Sequence, residues 1–358
     1  MKRVYVYLLL IGGIFVGLNS GVARERWSTE KAKEWYSRQP WIVGCNFIPS
    51  TAINQIEMWQ ESTFDPKTID RELGYAEKIG FNAVRVYLHY LVWVRNPERF
   101  KGRINEYLKI ADKHKIKTIF VLFDDCWNGY PNLGKQPDPK PGVHNSGWVQ
   151  CPGQEQVTQV ALFPVLRAYT KDIIATFRSD NRVLMWDLYN EPGNSGHGDK
   201  TLPLLKGVFQ WALEENPTQP VTAGVWGGSI NDRPKLNEFQ LNNSDIITFH
   251  AYDDVKSTIA LIDTLKKYNR PMICTEYMRR PINTFEDHMP LFAKENIGCL
   301  NWGLVSGKTQ TIYSWETWKK PYDHEPEIWF HDIFKKDGTP YSKKEIDFIK
   351  RVIKSKNR

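Results

Sequence analysis

Short apolar runs rich in β-branched and aromatic residues alternate along this chain with longer amphipathic stretches. The short runs are WIVGCNF (41–47), NAVRVYLH (82–89), KTIFVLFD (117–124), RVLMWDLY (182–189), PVTAGVW (220–226), DIITFHAY (245–252), PMICTEY (271–277) and GCLNWGL (298–304). They are nearly continuous in apolar character, as strands are when both faces of a sheet are covered. Between them PKTIDRELGYAEKIG, ending in Gly80, and INEYLKIADKHK space apolar residues three and four apart, which predicts helices. EQVTQVALFPVLRAYTKDIIATFRS, LPLLKGVFQWALEEN, TIALIDTLKKYN and TFEDHMPLFAKEN continue the alternation, and KEIDFIKRVIK closes it. The fifth connection carries only a weak helix, around residues 233–239. Eight strands alternating with helices predict an α/β fold, a single-domain (β/α)8 TIM barrel. A doubly wound open sheet is the second choice and would usually need fewer strands.

Length and composition fit that expectation. A chain of 358 residues, 41% of them hydrophobic, can fill one such barrel, and no repeat or linker divides it. The opening MKRVYVYLLLIGGIFVGLNSGVA joins two basic residues to an apolar stretch shorter than a membrane span and ends in small residues. That is the pattern of a signal peptide. Residues 1–23 are therefore expected to be removed and 24–358 to form the catalytic domain, acting as a secreted or periplasmic protein with no stable membrane insertion after cleavage. Of the five cysteines, Cys126 and Cys151 flank a loop and are candidates to pair, whereas Cys45, Cys274 and Cys299 lie in apolar runs as buried thiols.

A formal charge of +7, spread between the leader, the body and a Lys-rich tail, is too diffuse to indicate nucleic acid. The eight histidines form no HExxH pair, and there is no Cys-x-x-Cys, GxGxxG or P-loop, so neither a metal nor a cofactor is expected. The positive signal is aromatic: 14 Trp, 16 Tyr and 17 Phe, several in loops, where their faces can stack on sugars or bases as well as fill a core.

In a barrel, polar residues at the C-terminal ends of the strands share one cleft. Here these are Asn46, Arg85, His89, Asp124, Asp125, Asn190, Glu191, Trp226, His250, Tyr252, Glu276 and Trp302. Glu191 and Glu276 end strands four and seven, which face one another across a closed barrel. Two carboxyls so placed suit glycoside hydrolysis, one protonating the leaving oxygen and the other attacking the anomeric carbon or activating water. The bland alternative is that Asn190-Glu191-Pro192 caps a helix and that Arg85 is a structural ion pair.

YNEP ending strand four and TEY ending strand seven resemble the clan A barrel glycoside hydrolases, and most closely glycoside hydrolase family 5. The likeness runs from GCNF in the first strand to LNWG in the last. It implies a retaining mechanism with Glu191 as general acid/base and Glu276 as nucleophile. It further implies that Asn190 holds the sugar 2-hydroxyl, Arg85 orients the nucleophile, His250 and Tyr252 line the site, and Trp302 is the platform under the cleaved sugar. The chain departs from the family near the end of strand three, where FDDCW stands in place of a common histidine. His89 is placed to supply it, an arrangement nearer the clan's exo-acting β-galactosidases and β-mannosidases.

The expected activity is cleavage of β-mannan or β-glucan, endo-mannanase or glucanase-like, with an oligo- or polysaccharide as partner. The alternatives are an exo-acting β-mannosidase or β-galactosidase type, a non-catalytic carbohydrate-binding barrel, and an inverting enzyme using Asp124 or Asp125. Those two aspartates are read as contacts to a sugar hydroxyl or a bound cation or as caps of the loop after strand three, with the hydroxyl contact and the cap weighted alike, and Trp226 is left as either core or site. The insertion 124–153, with Trp127, Tyr130, His144 and Trp148, either walls off one end of the cleft or supplies subsites for a long chain.

Overall fold

The computed structural model describes residues 23–357, so the leader reading falls almost wholly outside the described residues. Eight parallel strands, β1 (Val43–Asn46), β2 (Ala83–Tyr87), β3 (Lys117–Val121), β4 (Val183–Asp187), β5 (Val221–Thr222), β6 (Ile247–Ala251), β7 (Met272–Tyr277) and β8 (Gly298–Trp302), pair in the order β5-β4-β3-β2-β1-β8-β7-β6. The remaining seam closes through a parallel bridge between Val225 and Phe249. Two bonds carry it, Val225 N–H to the Thr248 carbonyl at 3.0 Å and His250 N–H to the Val225 carbonyl at 3.0 Å. The result is the expected (β/α)8 barrel in one domain.

The period-two alternation of each strand sorts its residues into two layers. Along β2, Val84 and Val86 point outward into the helix-covered core, while Ala83, Arg85 and Tyr87 point into the barrel. At the N-terminal end the interior is filled by Ile42, Ala83, Ile119, Met185, Ile246, Ile273 and Leu300. An additional helix, Thr29–Ser37, plugs that end with Ala32 and Tyr36, helped by Trp27. The apolar layers thus take the lower interior and the outside of the sheet, leaving the upper interior for polar side chains.

Three expectations are corrected. The fifth strand is two residues long because side chains replace its ladder: Ser244 Oγ accepts from Ala223 N–H and Gln240 Nε2 donates to the Gly224 carbonyl. The stretch 155–179 is not one helix. Two 3-10 turns, Gln156–Thr158 and Val160–Leu162, precede a helix over Phe163–Phe177, and Pro164, which lacks an N–H, is tolerated only in that helix's first turn. Cys126 and Cys151 do not pair; all five cysteines are free and buried. The weak fifth connection does form a helix, Pro234–Asn243, and Gly80 ends the first predicted helix at φ +93, a conformation glycine adopts without penalty.

Candidate active site

Arg85 is the hub of the upper interior. Its guanidinium is fully buried, and a buried cation must be satisfied on every side. Nε reaches Asp187 Oδ2 at 2.9 Å, Nη1 reaches Asn46 Oδ1 at 2.9 Å and Glu276 Oε1 at 2.7 Å, and Nη2 reaches Asn190 Oδ1 at 2.7 Å. Four strands are tied together by one side chain. Burial works against its charge, but the Asp187 and Glu276 carboxylates more than offset this and hold it well above the ordinary arginine value.

Two further donors converge on Glu276, and His250 stands beside them. Tyr87 Oη donates to Oε1 at 2.9 Å, Tyr252 Oη donates to Oε2 at 2.9 Å, and His250 Nδ1 lies 3.6 Å from Oε2. Burial, followed for Tyr252 by the Glu276 charge, pushes both phenols well above their usual range, so both remain donors.

Glu191 sits differently. Oε1 meets His250 Nδ1 at 2.7 Å, while Oε2 accepts from the Cys126 thiol at 3.3 Å and from Asn194 Nδ2. Burial raises its pKa, but the His250 hydrogen bond and charge, with Cys126 and Asn194, bring it below the ordinary glutamate value. Burial opposes a charge on His250 too, yet the Glu276 charge and the Glu191 hydrogen bond leave its pKa raised. The shifts are opposite in sign, and the two titrate as a pair across a 2.7 Å contact. Glu191 occupies φ +44, a left-handed conformation that costs a non-glycine residue on the order of 1–2 kcal/mol. Its turn is held by Asp125, whose carboxylate accepts from Tyr189 Oη at 2.7 Å, Thr201 Oγ1 at 2.6 Å and the Gly193 N–H at 2.8 Å.

Of the expected site residues, Glu191, Glu276, Asn190, His250, Tyr252 and Trp302 line a common cavity of about 700 Å³, with Arg85 directly beneath. His89 does not join them. It caps the helix Tyr90–Arg95, Nδ1 accepting the Leu91 N–H at 3.2 Å, and Nε2 donates to the Gln150 carbonyl at 2.9 Å. Burial lowers its pKa to about 4, so both nitrogens serve the fold as a neutral ring. Asp124 is also turned from the cavity, accepting from Trp148 Nε1 at 2.7 Å and Asn190 Nδ2 at 2.9 Å. Neither aspartate has a free face for a sugar or a catalytic water. Trp226 belongs to the cavity wall: its indole N–H donates to the Pro192 carbonyl at 3.1 Å and the Arg233 guanidinium stacks 3.5 Å above it.

Asp187, Tyr87, Cys126 and Asn194 were missed in the sequence. For Tyr87 a signal existed, since it stands two residues beyond Arg85 on the same face of β2. Asp187 was signalled only by being a lone acid inside an apolar run. A carboxylate oxygen of Glu191, one of Glu276 and a ring nitrogen of His250 all lie within 4.8 Å of one another, close enough to surround a cation. Those oxygens already accept from two phenols, a guanidinium, an amide and a thiol, and a metal would have to displace these donors. The donor set therefore fits a hydrogen-bonded acid/base pair better than a metal centre.

Burial without a cation pushes Asp125 up to about 7. A carboxyl whose folded pKa exceeds its unfolded value binds more protons in the native state, so stability falls as pH rises from about 4 to about 7. Asp125→Asn removes that titration, and its melting temperature, followed by differential scanning calorimetry between about pH 5 and 8, should fall less steeply than the wild type's. Parallel slopes would mean that Asp125 is already ionised in the native protein.

The chain matches the cellulase family, glycosyl hydrolase family 5, over residues 49–315. No curated protein matches the sequence. Among solved structures it is similar to a GH5_18 protein from Streptomyces cattleya in complex with Manβ1-4GlcNAc, at TM-score 0.60 and 13% identity, with 88% of this chain and 80% of that one covered. It is also similar to the exo-β-1,4-mannosidase Op5Man5 from Opitutaceae bacterium strain TAV5, at TM-score 0.62 and 13% identity, over 88% and 59% of the two chains. The endo-1,4-β-D-mannanase from Thermotoga petrophila RKU-1 superposes at TM-score 0.55 and 13% identity, over 88% and 99%. At these identities the superpositions speak for the fold alone.

Proposed function

The chain belongs to glycosyl hydrolase family 5 and is a glycoside hydrolase; from that premise we propose that it is a retaining β-glycosidase with Glu276 as nucleophile and Glu191 as general acid/base. The observation that carries this reading is the separation of the two carboxylates, whose facing oxygens lie within 4.8 Å. Retaining pairs stand about 5 to 5.5 Å apart, whereas inverting pairs stand roughly 6.5 to 9.5 Å apart to admit a water.

The donors divide the labour between the two. Arg85, Tyr87 and Tyr252 hold Glu276 with Oε2 toward the cavity, as a nucleophile requires. In the first step a Glu276 oxygen bonds the anomeric carbon as the glycosidic C–O bond breaks, and the Glu191 proton passes to the leaving oxygen. Substrate burial strips water from the Glu191–His250 pair and favours its neutral form, with the proton on Glu191. In the second step Glu191 takes a proton from water, whose oxygen displaces Glu276 from the sugar. One Asn190 Nδ2 hydrogen is bound by Asp124 at 2.9 Å and the other rests on Cys126 Sγ at 3.4 Å, a weak acceptor that the sugar 2-hydroxyl would replace with a contact that strengthens in the transition state.

The substrate class proposed is a β-1,4-linked mannoside or glucoside, supported by the family and by the mannanase and mannosidase names among the similar structures. Action outside the cytoplasm is proposed from the leader pattern alone. No helix among the described residues is long and apolar enough to cross a membrane.

Incubation with β-mannans, β-glucans, xylans and aryl β-glycosides, read by proton NMR of the first product, tests the reading. Initial release of the β-anomer is expected. Initial release of the α-anomer would overturn the retaining mechanism.

A further inference from the structure

The cavity is closed at one end. Its lining comes from the ends of β3 to β8 and their following loops, and among the described residues the loops after β1 and β2 contribute nothing. A groove that threads a polymer must leave the mouth of the barrel on two sides. Here the β3 insertion lies across the β1 side and is bonded to it. Asn54 Nδ2 donates to the Gly147 carbonyl at 2.8 Å, Gln55 Nε2 to the Val149 carbonyl at 2.7 Å and Gln60 Nε2 to the Gly134 carbonyl at 2.8 Å.

The same insertion is latched to the segment after β8. Asn145 N–H donates to the Thr309 carbonyl at 2.7 Å, His144 N–H to Thr317 Oγ1 at 3.0 Å and Gln310 Nε2 to the Val143 carbonyl at 3.0 Å. Trp127 stacks on Trp318 with ring centroids 5.3 Å apart and planes at 12°. A barrier bonded on both flanks is a wall rather than a mobile loop.

The wall stands on a definite side of the scissile bond. Trp148, in the insertion, packs edge-on against Trp302 at 5.6 Å, so it closes the end where the Trp302 platform lies. Glu191, the proposed proton donor to the leaving group, is bonded by Asn194 and stands with it and Trp226 on the part of the lining that comes from the ends of β4 and β5. In that wall Asn145 is fully buried at φ +50 and lines the cavity, yet neither its amide nitrogen nor its amide oxygen has a partner among the described residues. Two unmet groups on one buried amide are a cost unless a ligand supplies their bonds.

We propose that the enzyme is exo-acting: the β3 insertion seals the glycone end so that a single terminal sugar enters, and Asn145 reads that sugar's hydroxyls while the rest of the chain leaves over Asn194 and Trp226. The proposal rests on the retaining-glycosidase reading and adds its mode of attack and a specificity-determining residue.

The test uses β-1,4-linked manno- and gluco-pentasaccharides, free or blocked at the non-reducing end by a benzylidene group, with aryl β-mannoside and β-glucoside as controls. The expected result is stepwise release of single sugars from the free pentasaccharide, and a rate at least about 100-fold lower on the blocked one, where the pocket cannot accept the end. Internal products formed at equal rates from both would overturn the exo proposal and leave the retaining reading standing. No turnover of the aryl glycosides or either pentasaccharide would overturn the catalytic reading and the proposal with it.

Asn145→Gly, which keeps the positive φ, is expected to lower kcat/KM on the aryl glycoside about tenfold. That loss should vanish on the monodeoxy congener lacking the hydroxyl that Asn145 binds. Equal loss on the parent and every monodeoxy congener, or no loss on any, would overturn the assignment of Asn145.

Discussion

Glu276→Gln is expected to lower kcat by at least about 10⁴-fold while the protein remains folded, because an amide cannot form the covalent glycosyl intermediate. The substitution keeps the shape of the side chain and one acceptor oxygen, enough for Arg85 and Tyr87 at the Oε1 position, while Tyr252 then meets an NH2. It removes one of the two anions that balance buried Arg85; the other, Asp187, stays in place with its oxygen 2.8 Å from Nη2. A stability loss on the order of 1–3 kcal/mol follows from leaving a buried hydrogen-bonding group less well matched. Steady-state kinetics on an aryl β-glycoside, with circular dichroism and a thermal melt on the same samples, separate the two effects. Turnover near wild type would remove the nucleophile from Glu276.

Glu191→Ala should split substrates by leaving group. General acid catalysis is worth roughly 10²–10⁴ where the departing alkoxide needs the proton, so kcat/KM on an oligosaccharide should fall by about that much. On a dinitrophenyl glycoside, whose phenolate leaves unaided, the loss in kcat/KM should stay within about tenfold, because the missing proton no longer limits the first step. The second step then waits for a base, and azide, which needs none, should raise kcat and give a glycosyl azide of retained configuration. Equal losses on both substrates would place the acid elsewhere. His250 bears on the same experiment: its Nδ1 loses the carboxylate it bonds in the wild type, and its Nε2 already has no partner among the described residues. The variant therefore leaves the imidazole with Glu276, 3.6 Å from Nδ1, as its remaining carboxylate neighbour, and its pH profile should lose the limb contributed by the coupled pair.

Arg85 shows why catalysis and folding cannot be separated in this barrel. It binds Glu276, the proposed nucleophile, Asn190, which precedes the proposed acid, and the buried Asp187 at once. The sequence reading posed a choice between an orienting residue and a structural ion pair, and the structure shows the one side chain placed to do both. Asp125 is a parallel case on the other carboxylate: far from being an acid of the reaction, it bonds the turn that carries Glu191 in its left-handed conformation.

Much of this was legible in one dimension. Eight apolar runs with helical periods between them are a local pattern, and the burial of each strand on both faces follows from composition. The polar ends of those strands follow too, because charged and amide groups in an apolar run need a functional or paired reason to be there. That reasoning placed six of the expected site residues on the cavity and Arg85 beneath it. It failed at His89, where the alternatives of ligand and satisfied histidine differ only in which backbone groups lie nearby. It also failed at Tyr87 and Asp187, which sit one or two residues below the strand ends, where the pattern alone looks like core.

The sequence by itself determined the barrel, the two glutamates and the polar ring around them, since strand period and strand ends are set by neighbours along the chain. Only the tertiary structure decided that Glu191 bonds His250, that Cys126 stays a thiol beside it, and that the β3 insertion walls one end of the cavity. Each of these depends on contacts between segments tens to hundreds of residues apart, such as Arg85 with Glu276 or Asn145 with Thr309. Distances of that kind are set by how helices and loops pack around the closed sheet, and no local period encodes them.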